Sequence, residues 1–363
     1  MTSAMAGTLD EAYERLRRTG PEFDGYLSNH GPMVAEAMVR RGHGEVMGSW
    51  LDAYMRRLEG FPRSTGPIGS DWRHALGDPR RIADWTALFD QELAERQWRE
   101  VLNTWWPRLL PGLVAAATHG VIRVGHAVRA LAEDGDDEAH VAELAQGLAY
   151  WAARWQTVPA GHAGALAAAA ACRARAATPL ESLAAVPRID EQSGGIRERL
   201  TRLGDLPGWP AALADFSVPT APDQVRALLA GLVDAATLRY LSYGHGNGVM
   251  LVHSATAPNA VLRALPALDA GLWAPSLTAA WAASSALTAV YAPALPAPRA
   301  QLPESSAAAE SPAETVTATF ARAVEHGDAH VIKFADTAVE VYARTGDHDA
   351  IAAALRAMEL IGP

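Results

Sequence analysis

One cysteine and one lysine are all that 363 residues carry of two reactive side-chain types, and the two scarcities mean different things. A single thiol, Cys172, excludes an internal disulfide and fits a reducing compartment. It lies in the run AAAAACRARAA, where a small apolar filler is expected rather than a catalytic nucleophile. Every other basic side chain is arginine, which leaves Lys333 alone in the stretch GDAHVIKFADTAVEVY. The chain also lacks a basic surplus. A net charge of −10 argues against a nucleic-acid backbone binder and against an anionic membrane surface. No apolar core precedes the charged residues of MTSAMAGTLDEAYERLRR, so no signal peptide is expected there. The alanine-rich runs at 113–118 and 163–172 are too short or too interrupted to span a membrane. A cytoplasmic protein without membrane or nucleic-acid partners is expected; the oligomeric state is not legible.

Alternating runs of β-branched residues are missing too, which disfavours a sheet, and no repeat of solenoid length is evident. Alanine and leucine at helical spacing are abundant instead. They predict helices over 9–18, 32–41, 81–99, 112–132, 138–155, 223–240, 258–265, 278–290, 313–326, 329–344 and 348–358. Loops are expected at 63–81 and 190–195. The Pro/Ala/Ser-rich stretch 292–314 is expected to be a flexible surface connection. The expectation is an all-α fold, one large helical domain over 1–363 with a buried site between helices.

Familiar catalytic signatures are absent as well. There is no His-Glu-x-x-His, no paired Glu-x-x-His, no dinucleotide-binding glycine fingerprint, no Gly-x-Ser-x-Gly elbow and no phosphate loop. Five of the twelve histidines, His43, His74, His140, His162 and His348, sit at loops or helix ends and read as ordinary. The others lie in apolar or glycine-marked contexts. His30 lies in a turn, SNHGPM, that opens a helix, where the positive helix end keeps an imidazole neutral. His119 and His126 share one face of an apolar helix. His253 ends the apolar run Val249–Val252 and precedes Pro258, read as a break. His330 and Lys333 share a face at i, i+3. Each histidine alone could equally be a hydrogen-bonded core residue.

Lys333 is flanked by Val331, Ile332 and Phe334 on what reads as a core-facing helix. There it must snorkel, pair with Asp336 or another acid, or stay neutral. A neutral lysine has chemistry that arginine lacks: Schiff-base formation, general-base catalysis, or addition of CO2 to give a carbamate. Imidazoles with such a carboxylate-like donor suit iron, zinc or manganese.

The stretches SNHGPM (28–33), WREVLNTWWP (98–107), HGVIRVGHAVRAL (119–131), LVHSATAPNAV (251–261) and DAHVIKF (328–334) together resemble the questin oxidase-like family. Fungal relatives in that family oxygenate anthraquinone-type polyketides, including Baeyer–Villiger-type and ring-cleaving steps. The resemblance implies a mononuclear non-haem Fe(II) site with His30, His119, His253, His330 and a carboxylated Lys333 as ligands. It implies O2 and a small aromatic substrate as reactants, with NADPH as a candidate external reductant. Arg123 and His126 are then the candidate catalytic groups beside the metal. Arg123 could bind a phenolate or serve in a salt bridge. Trp105, Trp106, Trp151 and Trp155 are candidate walls for a flat substrate, or ordinary core. Two other readings stay open: a metal-free enzyme using Lys333 as nucleophile or base, and a non-catalytic helical binding protein.

Overall fold

A computed structural model describes residues 2–159, 178–304 and 311–363. Cys172, His162 and residues 305–310 of the proline-rich connection lie outside the described residues. The chain is all-α: 71% helix against 2% strand. Its only paired strands among the described residues are the two-residue β1 (Glu22–Phe23) and β2 (Leu27–Ser28). No described helix is long and apolar enough to cross a membrane. Backbone contacts gather the chain into two compact units. One comprises 1–156 with 263–269, the other 157–262 with 270–363.

The first unit contains α1 (Thr2–Leu16), α2 (Gly31–Arg40), α3 (Gly44–Met55), α4 (Ile82–Glu95), α5 (Trp98–Leu109), α6 (His119–Glu133) and α7 (Glu138–Ala153). The single helix expected over 81–99 is split. Arg96 takes an extended backbone, and its guanidinium ties the two pieces by bonding Glu92, Glu100 and Thr104. The tryptophan-rich run that follows is a helix in its own right. The helix expected from 112 starts only at His119, because Ala116, Ala117 and Thr118 are left-handed, with φ of 46°, 55° and 70°. Three consecutive residues with a Cβ in that region carry a real conformational cost, about 1–2 kcal/mol each. Helices α6 and α7 approach closely through glycine. A Cβ on Gly120 would stand 2.7 Å from the Trp151 Cα.

The second unit contains α8 (Pro179–Ala185), α9 (Ile196–Thr201), α10 (Trp209–Ala214), α11 (Pro222–Tyr243), α12 (Gly248–Leu251), α13 (His253–Ala264), α14 (Trp273–Tyr291), α15 (Pro312–His326), α16 (Ala329–Thr345) and α17 (His348–Leu360). Helix α13 runs on from this unit into residues 263–264 of the first. Pro258, read from sequence as a break, sits inside α13. Its ring removes the N–H that would bond the Ser254 carbonyl, and the Ser284 hydroxyl from α14 donates to that carbonyl instead, at 2.6 Å. Part of the core is Val233, Val339, Tyr342 and Ile351, which lock α11, α16 and α17 together. Asn259 on α13 donates to Thr337 and Glu340 on α16. These contacts fix the helices that carry His253, His330 and Lys333.

Candidate functional site

In the first unit the SNHGPM turn is held by its own side chains. Asn29 donates to the Gly20 carbonyl and accepts from the Gly31 N–H. Ser28 Oγ lies 2.6 Å from the Tyr150 hydroxyl. His30 caps α2, as the sequence suggests, and its backbone N–H donates to the Tyr54 hydroxyl. Its Nε2 lies 2.7 Å from Nε2 of His119, and both residues are buried. His119 Nδ1 lies 2.6 Å from the Ala116 carbonyl, the first residue of the left-handed turn. A carbonyl only accepts, so Nδ1 carries the proton and Nε2 keeps its lone pair. The turn therefore fixes the tautomer that a metal or a proton donor would meet at Nε2.

His126, also buried, is placed differently. Its Nδ1 bonds Glu36, and its Nε2 lies 3.1 Å from an Arg263 guanidinium nitrogen. A guanidinium only donates, so the Nε2 lone pair is in use and His126 is neutral. Burial first, and Arg263 with Arg129 after it, push its pKa down to about 4 against the pull of Glu36. Glu36 is in turn held by Arg129. Burial opposes its charge, yet Arg129 and His126 outweigh that and keep the carboxyl below its ordinary range. This group of three charges and a neutral imidazole ties α6 and the end of α13 to α2.

A pH dependence follows. Between pH 6.5 and about 4 the unfolded His126 takes a proton that the folded one refuses, so stability falls as pH drops through this window. The full cost is on the order of 3 kcal/mol. Glu36 adds a loss in the same direction at lower pH, as its carboxylate is protonated. A melting-temperature series from pH 7 to 4.5 should decline, and His126→Gln should flatten the decline above pH 5. An unchanged slope in that variant would contradict the assignment.

Arg123 is paired with an acid. Its Nη2 donates to Glu143 at 2.7 Å and to Gln146 at 2.8 Å, and its Nε donates to the other Glu143 oxygen. Of the two roles open on sequence, the structure shows the salt bridge. Trp106 and Trp151 pack edge to face at 5.2 Å, with the Trp151 indole N–H donating to the Gly112 carbonyl, which makes both core. The Trp155 indole closes over Gly112, where a Cβ would come within 2.3 Å of it. Trp105 lies against Trp72, Trp85 and Phe89.

In the second unit α16 opens on Asp328, which accepts from the backbone N–H groups of His330 and Val331. The His330 ring stands edge to face with that of His253, 5.6 Å between centroids. Burial pushes the His330 pKa down despite Asp328 beside it. Lys333 is 1% exposed, and its Nζ has no hydrogen-bond partner among the described residues. Asp336, the pairing candidate on sequence, does not bond it. Burial pushes the Lys333 pKa down to about 7, with Asp328 opposing only partly. At neutral pH much of this amine is therefore uncharged and nucleophilic.

The sequence thus located the buried imidazoles and the amine, but not the carboxylates that organise their surroundings. Glu36 and Glu143 are single acids on apolar helix faces, and that pattern was the available signal. His140, read as ordinary, is wholly buried between Asp10 and Asp137. Its place at the start of α7, facing α1, is not visible in local sequence.

The described residues thus include a buried imidazole, His119, held in one tautomer, and a buried amine, Lys333, without a hydrogen-bond partner among them. A family model for questin oxidase-like proteins matches residues 52–338, most of the chain, and the chain belongs to that family. His119, His253, His330 and Lys333 fall inside the matched span; His30 precedes it. Membership makes the protein an oxidoreductase of the oxygenase kind, with anthraquinone-like substrates suggested. Among individual curated proteins none matches.

Proposed function

We propose that the protein is a non-haem iron oxygenase that oxidises an anthraquinone-like aromatic polyketide in a Baeyer–Villiger-type or ring-cleaving reaction. The observation that supports this most is Lys333: a buried amine with no hydrogen-bond partner among the described residues, on the same helix face as His330. A positive charge there is costly, and an apolar residue would pack more cheaply, so its retention asks for a chemical role. The proposed ligands are His30 and His119 in the first unit, with His253, His330 and Lys333 in the second. Lys333 would serve as a carbamate. The lone pair of the neutral Nζ forms an N–C bond to CO2 as one C=O π bond opens onto oxygen, Nζ gives up one proton to solvent, and the product is a carbamate anion, an oxygen donor. Nitrogen and oxygen donors of this kind suit iron. Bound there, iron would supply activation of O2.

The chain's own part is preorganisation. The Ala116 carbonyl holds His119 in the right tautomer. The N-terminus of α2 disfavours a charged His30. Asp328 anchors the first turn of α16 and sits beside His330 Nδ1, 3.5 Å away. Val331, Ile332 and Phe334, all buried, keep water from Lys333. NADPH is proposed as external reductant and the cytoplasm as location.

The test is metal content of protein purified without chelator. Equimolar iron is expected, falling severalfold in His119→Ala and in His253→Ala with helicity intact. A carbamate carbon signal from labelled bicarbonate is expected in the wild type and absent from Lys333→Met. No stoichiometric metal in the wild type would overturn the reading. The neutral amine favours one alternative, a metal-free Schiff base or general base at Lys333. Borohydride trapping of a carbonyl substrate on Lys333 would support that alternative instead.

A further inference from the structure

The first unit holds a cleft of about 340 Å³ that none of the proposed iron ligands lines. Its walls include Ser70, Trp72, Leu88, Glu92, Trp105 and Arg108. The Trp72 and Trp105 rings meet at 68°, their centroids 5.2 Å apart. The Arg108 guanidinium carbon lies 4.5 Å from the Trp105 ring centre and 5.3 Å from that of Trp72. Stacking uses the faces of a guanidinium and leaves its N–H edge for an acceptor. No carboxylate among the described residues supplies one. Glu92, the acid in the lining, is already bonded to Arg96 at 2.6 Å. Arg73, outside the lining, also places its guanidinium carbon 4.3 Å from the centre of the Trp72 ring. The Trp105 indole N–H is buried and has no hydrogen-bond partner among the described residues.

The wall is also built, although it belongs to the loop at 63–81. Asp84, on α4, accepts from the Ser64 hydroxyl, the Thr65 hydroxyl and N–H, and the Gly66 N–H. Arg81 bonds both Asp84 and the Gly66 carbonyl. A buried carboxylate satisfied by this many donors fixes the loop segment just before Ser70.

We infer that this cleft binds a small planar organic anion, an aromatic carboxylate of one or two rings, with its carboxylate on the Arg108 edge and its ring against the tryptophans. The volume is at the small end of ligand pockets, which suits one or two rings and not a larger system. Burial lowers the Arg108 pKa, the penalty that a bound anion relieves. The inference does not rest on the iron reading.

The test is calorimetric titration of the full chain with 2-naphthoate, with the neutral alcohol 2-naphthalenemethanol and inorganic phosphate alongside. Saturable one-site binding of the naphthoate, with Kd below ~1 mM, is expected. The alcohol and phosphate should each bind about tenfold more weakly or less. Arg108→Gln should weaken naphthoate binding about tenfold or more, and Trp72→Ala should weaken it severalfold, with melting temperatures near the wild type. His119→Ala should leave it unchanged. Absence of saturation in the wild type, equal binding of the alcohol, or full binding by Arg108→Gln overturns the inference. Loss in His119→Ala with retention in Arg108→Gln would place the naphthoate at the histidines and equally overturn it.

Discussion

Lys333→Met should give a protein more stable than the metal-free wild type and without oxygenase activity. Methionine matches lysine in length, carries no charge and packs adaptably in an apolar setting. The wild-type amine loses its hydration and gains no hydrogen-bond partner among the described residues in exchange. Its drop from an ordinary 10.5 to about 7 corresponds to on the order of 5 kcal/mol against the charged form. Most of that cost is already felt at pH 7, where the unfolded lysine is protonated. Chemical denaturation of metal-free protein at pH 7 should therefore show Lys333→Met stabilised by several kcal/mol. Lys333→Arg goes the other way. Guanidinium cannot shed its proton, and a buried uncompensated charge costs about 3–5 kcal/mol. A methionine variant less stable than the wild type would show that Nζ has a favourable partner after all. An active methionine variant would remove the lysine from the chemistry.

Burial without a hydrogen-bond partner among the described residues is what made the lysine stand out in the sequence. A single lysine inside a helical apolar run is locally inconsistent, and local inconsistency is where function concentrates. His30 was legible through its turn, and His119, His253 and His330 through their apolar neighbours. The left-handed turn at 116–118 was not. Three residues reading Ala-Ala-Thr favour a right-handed helix by propensity, and only the bond from His119 to the Ala116 carbonyl and the surrounding packing show why they depart from it. Pro258 misled for a related reason. Its cost inside a helix is set by whether the freed carbonyl finds a donor, and that donor, Ser284, is 30 residues away along the chain. His126 looked like a site residue because its helix face is apolar. The partners that occupy both its nitrogens come from α2 and from the end of α13, and no local pattern reports them.

Glu143→Ala should be among the most destabilising single changes in the first unit, at about 3–5 kcal/mol, because it strands the Arg123 charge in the core. The pair itself is not the reason the unit is stable. Burial holds the Glu143 carboxyl above its ordinary range even with a guanidinium bonded to both oxygens. Desolvation therefore outweighs what Arg123 returns to the acid, and removing both charges together should be far milder than removing one. The double variant Arg123→Met with Glu143→Leu should recover most of the loss, a coupling of several kcal/mol in a double-mutant cycle. Activity separates the two roles that the sequence left open for Arg123. Its donors toward α7 are spent on Glu143 and Gln146, so the double variant should keep substrate turnover close to the wild type. A stable double variant with kcat/KM down a hundredfold or more would instead place this guanidinium against the substrate, with Glu143 holding it in position.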